Sequence, residues 1–191
     1  VLVLGGKQEQ IYFERDEQPR QTSMEKLKAL RPAFIKDGSV TAGNSAGIND
    51  GAAAMLLASE SAVKRFGLKP RARIVSMAVA GVDPAIMGIG PVPATQKALT
   101  RARLKVSGLD LIELNEAFAV QTLVCMQELG LDPTVVNVNG GSIASGHPRC
   151  GAGVRSATTL LHEMGRRTMR YGLATMCVGV GQGAAIIYEK V

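Results

Sequence analysis

His147 lies between Gly146 and Pro148, inside Asn139-Gly140-Gly141-Ser142-Ile143-Ala144-Ser145-Gly146-His147-Pro148, a run too rich in glycine for a helix interior. An imidazole titrates near neutrality, which makes it the natural proton acceptor for a thiol nucleophile; a hydrogen-bonded structural histidine is the alternative. Cys177 closes an apolar run and opens a turn holding Gly179, Gly181 and Gly183. Glycines let a backbone N–H approach a developing oxyanion, and a thiol of lowered pKa can exchange protons there. A core cysteine ahead of a hairpin turn explains the same residue without chemistry. Asn115, with Glu116, follows the apolar run Leu111–Leu114 directly. Its amide can hold a water, orient a carbonyl, or simply cap a helix. A fourth stretch, Asn49-Asp50-Gly51-Ala52-Ala53, also combines polar side chains with permissive backbone. All four fall at strand ends or turns, where α/β folds place their sites.

Other reactive groups read more plainly. His162 falls mid-helix as a surface or boundary residue, and Cys125 sits in an apolar helix as core. Cys150 is either reactive or a small residue at a helix start. Two histidines 15 residues apart and no Cys-x-x-Cys pair give no zinc ligand set. The C-terminal glycines join two strands rather than opening a helix, so they are not a dinucleotide fingerprint.

The elements that must position these groups follow from periodicity and punctuation. Residues 1 to about 37 are polar, with one short amphipathic helix at Met24–Leu30, and read as the end of a loop region; the domain proper runs over 38–191. Ala52–Ala58 reads as a buried strand or the start of a buried helix. Helices are expected over Ser59–Phe66, capped by Ser59 and stopped by Gly67, and over Pro93–Arg103, Ala117–Leu129 and Gly153–Arg167. Strands are expected over Arg73–Val79, Leu111–Leu114, Val135–Val138, Leu173–Val178 and Ala184–Tyr188. Alternating strands and helices that end in a hairpin predict an α/β layer with a mixed sheet.

With 191 residues, 46% of them apolar, the chain can fill a sizeable core. No apolar stretch approaches the roughly 20 residues of a membrane span, so no membrane partner is expected. Three cysteines give no disulfide framework and point to a reducing compartment, hence a cytoplasmic expectation, although the sequence starts without Met and any leader is not assessable. The net charge of +6 is spread over separate segments without interleaved aromatics, which argues against nucleic acid and leaves a modest attraction for phosphorylated ligands.

In this order the motifs resemble the thiolase family: Asn-Asp-Gly-Ala-Ala at 49–53, Met87-Gly88-Ile89-Gly90-Pro91, Asn-Glu-Ala-Phe-Ala at 115–119, the glycine-rich run ending in Gly-His-Pro at 146–148, and Cys-x-Gly-x-Gly-x-Gly at 177–183. The resemblance covers about residues 16–191 and is closest to the acetyl-CoA acetyltransferase and biosynthetic β-ketothiolase branch. It implies a thiolase-like half-domain with a mixed five-stranded sheet and helices on both faces. It also implies a similar N-terminal half as partner, which carries the acylated cysteine, and a homo-oligomer as the full enzyme. Acyl-CoA and coenzyme A would be substrates, with no metal or redox cofactor.

Carried onto this sequence, the resemblance makes His147 the base for the nucleophile and Cys177 the acid–base for the α-carbon. His147, with a water held by Asn115, would form one oxyanion hole, and the Gly179 N–H with the N–H of the missing nucleophile would form another, while Phe118 and Met87 would line the pantetheine and acyl pocket. The chain alone is expected to be inactive and, with a sheet face uncovered, to self-associate. Two departures stand out. After His147-Pro148 the family usually continues x-Gly-small-Ser/Thr-Gly, whereas Arg149-Cys150-Gly151-Ala152-Gly153 here loses a hydroxyl and places a charge beside the site, and Val180 replaces the middle glycine, where a positive φ would strain a β-branched residue. A non-catalytic acyl-CoA- or lipid-binding module, or an assembly subunit, on a thiolase-like half is the rival expectation.

Overall fold

The computed structural model describes residues 2–4 and 10–191. Along the chain it forms β1 (Leu2–Leu4) and β2 (Gln10–Tyr12), paired antiparallel, then α1 (Met24–Lys28) and α2 (Glu60–Phe66). Next come β3 (Ala72–Gly81), α3 (Pro91–Ala102), β4 (Leu111–Leu114) and α4 (Ala119–Leu129). The one-turn helix α5 (Ser142–Ser145), α6 (Ala152–Arg167), β5 (Tyr171–Val178) and β6 (Gln182–Lys190) complete it.

The sheet order is β3-β6-β5-β4; β4 and β5 are parallel, and β6 runs antiparallel to both of its neighbours. On one face α3 and α4 pack through Ala94, Ala98, Leu99, Cys125 and Leu129 against Ile112, Leu114, Leu173 and Ile187. On the other, α6 packs through Ala157, Leu160 and Met164 against Leu111, Ala174 and Tyr188. The mixed sheet with helices on both faces is therefore as expected from the sequence. Among the described residues no helix is long and apolar enough to cross a membrane.

Among the described residues this sheet has four strands where five were expected, and the reason is local. Val135–Val138 becomes a single turn of 3-10 helix at Pro133–Val135, followed by one parallel bridge from Val136 to Ile112. Asn137 then adopts φ 48°. Its side-chain amide takes over the ladder: Leu114 N–H donates to Asn137 Oδ1 at 2.9 Å, and Asn137 Nδ2 donates to the Leu114 carbonyl at 2.8 Å. A carboxamide has the donor and acceptor of a peptide unit, so it satisfies the β4 edge without a fifth strand.

Ala52–Ala58 is a second departure. It is neither strand nor helix, and only Met55 in it is even half-buried. Among the described residues no strand pairs with it. Smaller differences lie at helix starts: α3 begins at Pro91, two residues early, because proline needs no N–H partner at the first helical position. By contrast α2 has the predicted ends, with Ser59 accepting from Ala62 N–H and Gly67 closing at φ 60°.

Candidate active site

The carboxyl ends of the parallel strands β4 and β5 bring Asn115 and Cys177 to one edge of the sheet. Asn115 follows β4 and is locked to β5 by its N–H donating to the Thr175 carbonyl at 3.0 Å, two residues before Cys177. Helix α4 starts only at Ala119, with Phe118 in the capping position, so Asn115 is not a helix cap. Its side chain, only 3% exposed, accepts instead from Ser142 Oγ at 2.7 Å, which ties the His147 loop to the end of β4. Asn115 Nδ2 is buried with no partner among the described residues.

The loop from Asn139 to His147 is held from several sides. The Glu116 carboxylate accepts from Asn137 Nδ2 and from Ile143 N–H, each at 3.0 Å. Gly141 lies so near this carboxylate that any Cβ would overlap it. Asn139 Nδ2 donates to Glu163 on α6 at 3.0 Å, and Gln18 Nε2 reaches the Ile143 carbonyl at 3.1 Å. Asn49, from the Asn-Asp-Gly-Ala-Ala stretch, accepts from His147 N–H at 2.9 Å. The same stretch also sets Gly51 against Pro148, so close that a Cβ at Gly51 would overlap the proline ring. Glu116 and Gln18 thus hold the loop that carries His147, and sequence alone gives neither this task, because the pairing of Glu116 with Gly141 exists only in three dimensions.

The His147 ring is half-buried and its Nδ1 has no partner among the described residues. Burial and, after it, the charges of Arg149 and Arg155 push its pKa below the usual imidazole value, so the neutral, proton-accepting form predominates at neutral pH. Cys177 is buried, and that burial, aided by nearby Cys125, raises its pKa and keeps it a thiol.

The turn after Cys177 packs on the Met87 segment. Val82 N–H donates to the Gly181 carbonyl at 2.8 Å, and the backbones of Gly90 and Gly183 pass so close that neither tolerates a Cβ. Gly179 is exposed with open space around its Cα, and Val180 has φ 62°, the strained left-handed conformation anticipated for it. Met87 is half-buried beside this turn. Phe118 stacks edge-on against Phe34 with centroids 5.8 Å apart. Cys150 is exposed, Cys125 is buried core, and His162 is exposed against Arg71.

The layer thus carries a half-buried imidazole in its neutral form, a buried thiol and a buried carboxamide, groups able to accept a proton, donate one and hydrogen-bond an oxygen. Comparison with known proteins gives the family. The model of the thiolase C-terminal domain matches residues 68–190 and that of the thiolase N-terminal domain matches residues 1–61. The chain belongs to the thiolase family. It is 59% identical over 191 residues to an acetyl-CoA acetyltransferase of Pseudomonas aeruginosa, covering all of this chain and 49% of that protein.

Among solved structures, the Bacillus anthracis acetyl-CoA acetyltransferase superposes with a TM-score of 0.93 at 48% identity, over 100% of this chain and 48% of that one. Human mitochondrial 3-ketoacyl-CoA thiolase in complex with CoA gives 0.87 at 46% identity, over 94% and 46%. The chain spans about half the length of the curated relatives it matches.

Proposed function

We propose that this chain carries the general acid–base and oxyanion groups of an acyl-CoA C-acyltransferase, which cleaves 3-ketoacyl-CoA by thiolysis and forms it by Claisen condensation. The acylated cysteine is contributed by an N-terminal thiolase half, and the full enzyme is a homo-oligomer. What supports the reading is that Asn115 and Cys177 stand at the carboxyl ends of neighbouring parallel strands, that the His147 loop is tied to Asn115 through Ser142, and that Asn115 Nδ2 and His147 Nδ1 are buried without partners among the described residues.

In the thiolytic direction His147 takes the proton of the nucleophilic cysteine, whose thiolate attacks the 3-keto carbon. The C2–C3 bond breaks, and Cys177, held as a thiol by burial, protonates the acetyl-CoA enolate that departs. The Cys177 thiolate then takes the proton of an incoming coenzyme A thiol, which attacks the acyl-cysteine; the released thiolate recovers its proton from His147. Condensation is the reverse. A high thiol pKa suits both directions, because the thiolate it yields is a strong base toward a carbon acid. Asn115 Nδ2 and the Gly179 N–H stabilise thioester and ketone oxygens as charge develops on them. Phe118 and Met87 border the acyl and pantetheine groups.

The test is acetoacetyl-CoA thiolysis, monitored by loss of its enolate absorbance, with the 191-residue chain alone and together with an N-terminal thiolase half. The expected result is no turnover alone and turnover on reconstitution that His147→Ala and Cys177→Ala each abolish. Robust thiolysis by the isolated chain rejects the two-half reading. Coenzyme A binding with reconstituted activity indifferent to both substitutions favours instead a binding module, for which strained Val180 is the motive.

A further inference from the structure

Asn115 offers the site either a carbonyl or an amide N–H, and only the second can stabilise an oxyanion. Its own sequence neighbours do not decide which. Ser142 Oγ, on the first residue of α5, lies 2.7 Å from Asn115 Oδ1 and 3.3 Å from Arg155 Nη2 on α6. A guanidinium has donors only, so at this contact Ser142 Oγ must accept. Its hydrogen is then left for Asn115, and the Asn115 atom that faces it must be an acceptor. In the opposite orientation Asn115 Nδ2 and Arg155 would both donate to Ser142 Oγ. The hydroxyl hydrogen of a residue with no solvent exposure would then have lost its only partner found among the described residues. The amide is thereby turned so that Nδ2 points away from Ser142, to where it is buried without a partner among the described residues.

We infer that Arg155 and Ser142 are positioning residues, a one-way hydrogen-bond relay that sets the Asn115 amide with its N–H donor toward the reacting oxygen. The inference rests on the acyl-transfer reading for its consequence, though not for the polarity itself. The relay runs from the first turn of α6 through α5 to the end of β4, so three elements that are separate in sequence agree on one side-chain torsion. It also gives Ser142 a task within the glycine-rich run that a small apolar residue could not perform.

Two measurements test it separately. By NMR of the 191-residue chain, the Asn115 side-chain 1H–15N pair is expected to be single and sharp, and in Ser142→Ala to broaden or double as the released amide samples both orientations. An Asn115 pair in Ser142→Ala that stays single and sharp overturns the inference whatever the activity. If Ser142→Ala does not fold, Arg155→Met and Arg155→Lys replace it. The methionine should perturb the Asn115 pair and the lysine, which keeps a donor, should restore it; equal spectra overturn the relay.

In the reconstituted enzyme Ser142→Ala is expected to lower kcat roughly tenfold with KM nearly unchanged, a fraction of the 10²–10³ lost with a whole oxyanion donor. It should have no further effect in an Asn115→Ala background, because it acts through that amide. Losses that multiply in the double variant overturn the inference. If Asn115→Ala itself leaves kcat unchanged, the acyl-transfer reading fails, while the NMR result still decides the relay.

Discussion

Leu111–Leu114 and Ala52–Ala58 are both short apolar runs beside a chemically suggestive motif, yet they end up in opposite states. The first is strand β4, buried at every position, laddered to β5 and closed on its free edge by Asn137. The second has no ladder partner among the described residues, and its Leu56 and Leu57 are 78% and 70% exposed. Hydrophobicity supplies the drive to be buried, but a strand also needs a neighbour for its N–H and C=O groups. The run at 52–58 falls within residues 1–61, matched by the thiolase N-terminal domain model, and the proposed partner would supply the rest of that domain.

The sharpest way to break this contrast is truncation of a leucine in each run. Leu114→Ala is expected to cost about 2–5 kcal/mol in urea unfolding of the chain, and Leu57→Ala no more than about 0.5. Equal costs would mean that 52–58 is packed core in solution. With the N-terminal half bound, Leu57→Ala should weaken the complex.

A second contrast sits behind β4, where two buried carboxylates respond oppositely to pH. Burial pushes Glu113 up to about 7, with Glu116 and Glu163 adding to the rise and Arg155 opposing it. Hydrogen bonds from Asn139, Arg166 and Arg167 hold Glu163 down at about 2. A raised folded pKa means that the native state binds the extra proton, so Glu113 subtracts stability as pH rises from about 4.5 through 7, on the order of 3 kcal/mol in total. Glu163 contributes stability that is present above about 4.5 and is lost as pH falls toward 2. Glu113→Gln should flatten the decline in denaturant midpoint between pH 5 and 8 and leave the acid limb in place; an unchanged decline would place its origin elsewhere.

Backbone contact sharpens the same comparison at a smaller scale. Gly183→Ala drives a Cβ into the Gly90 carbonyl and is expected to destabilise by about 1–3 kcal/mol, whereas Gly108→Ala, with open space at its Cα, should be neutral or slightly stabilising. Equal melting temperatures for the two variants would disprove the close approach of the Cys177 turn to the Met87 segment.

The smallest effect is electrostatic. Removing the Arg149 charge in Arg149→Leu relieves one cause of the lowered His147 pKa, so the acid limb of kcat/KM against pH in the reconstituted enzyme should move upward. An unmoved limb would show that Arg149 does not act on the imidazole.

Local chemistry was legible wherever one or two neighbouring residues decide it. Ser59 and Gly67 bound α2 as read, and Val180 has the positive φ that its place in a glycine pattern suggested. The alternation of strands and helices was likewise enough for a mixed α/β sheet, because side-chain period and turn residues are properties of the chain itself. What tertiary structure decided were the choices that depend on a distant partner. Asn137's amide replaced a strand, Ala52–Ala58 stayed unpaired, and Glu116 became the clamp on the His147 loop. Asn115 could have been a helix cap by sequence and became a buried donor instead, because a hydroxyl 27 residues away took its oxygen. Hydrogen-bond satisfaction in a closed interior is a property of the whole fold, and no local pattern encodes it.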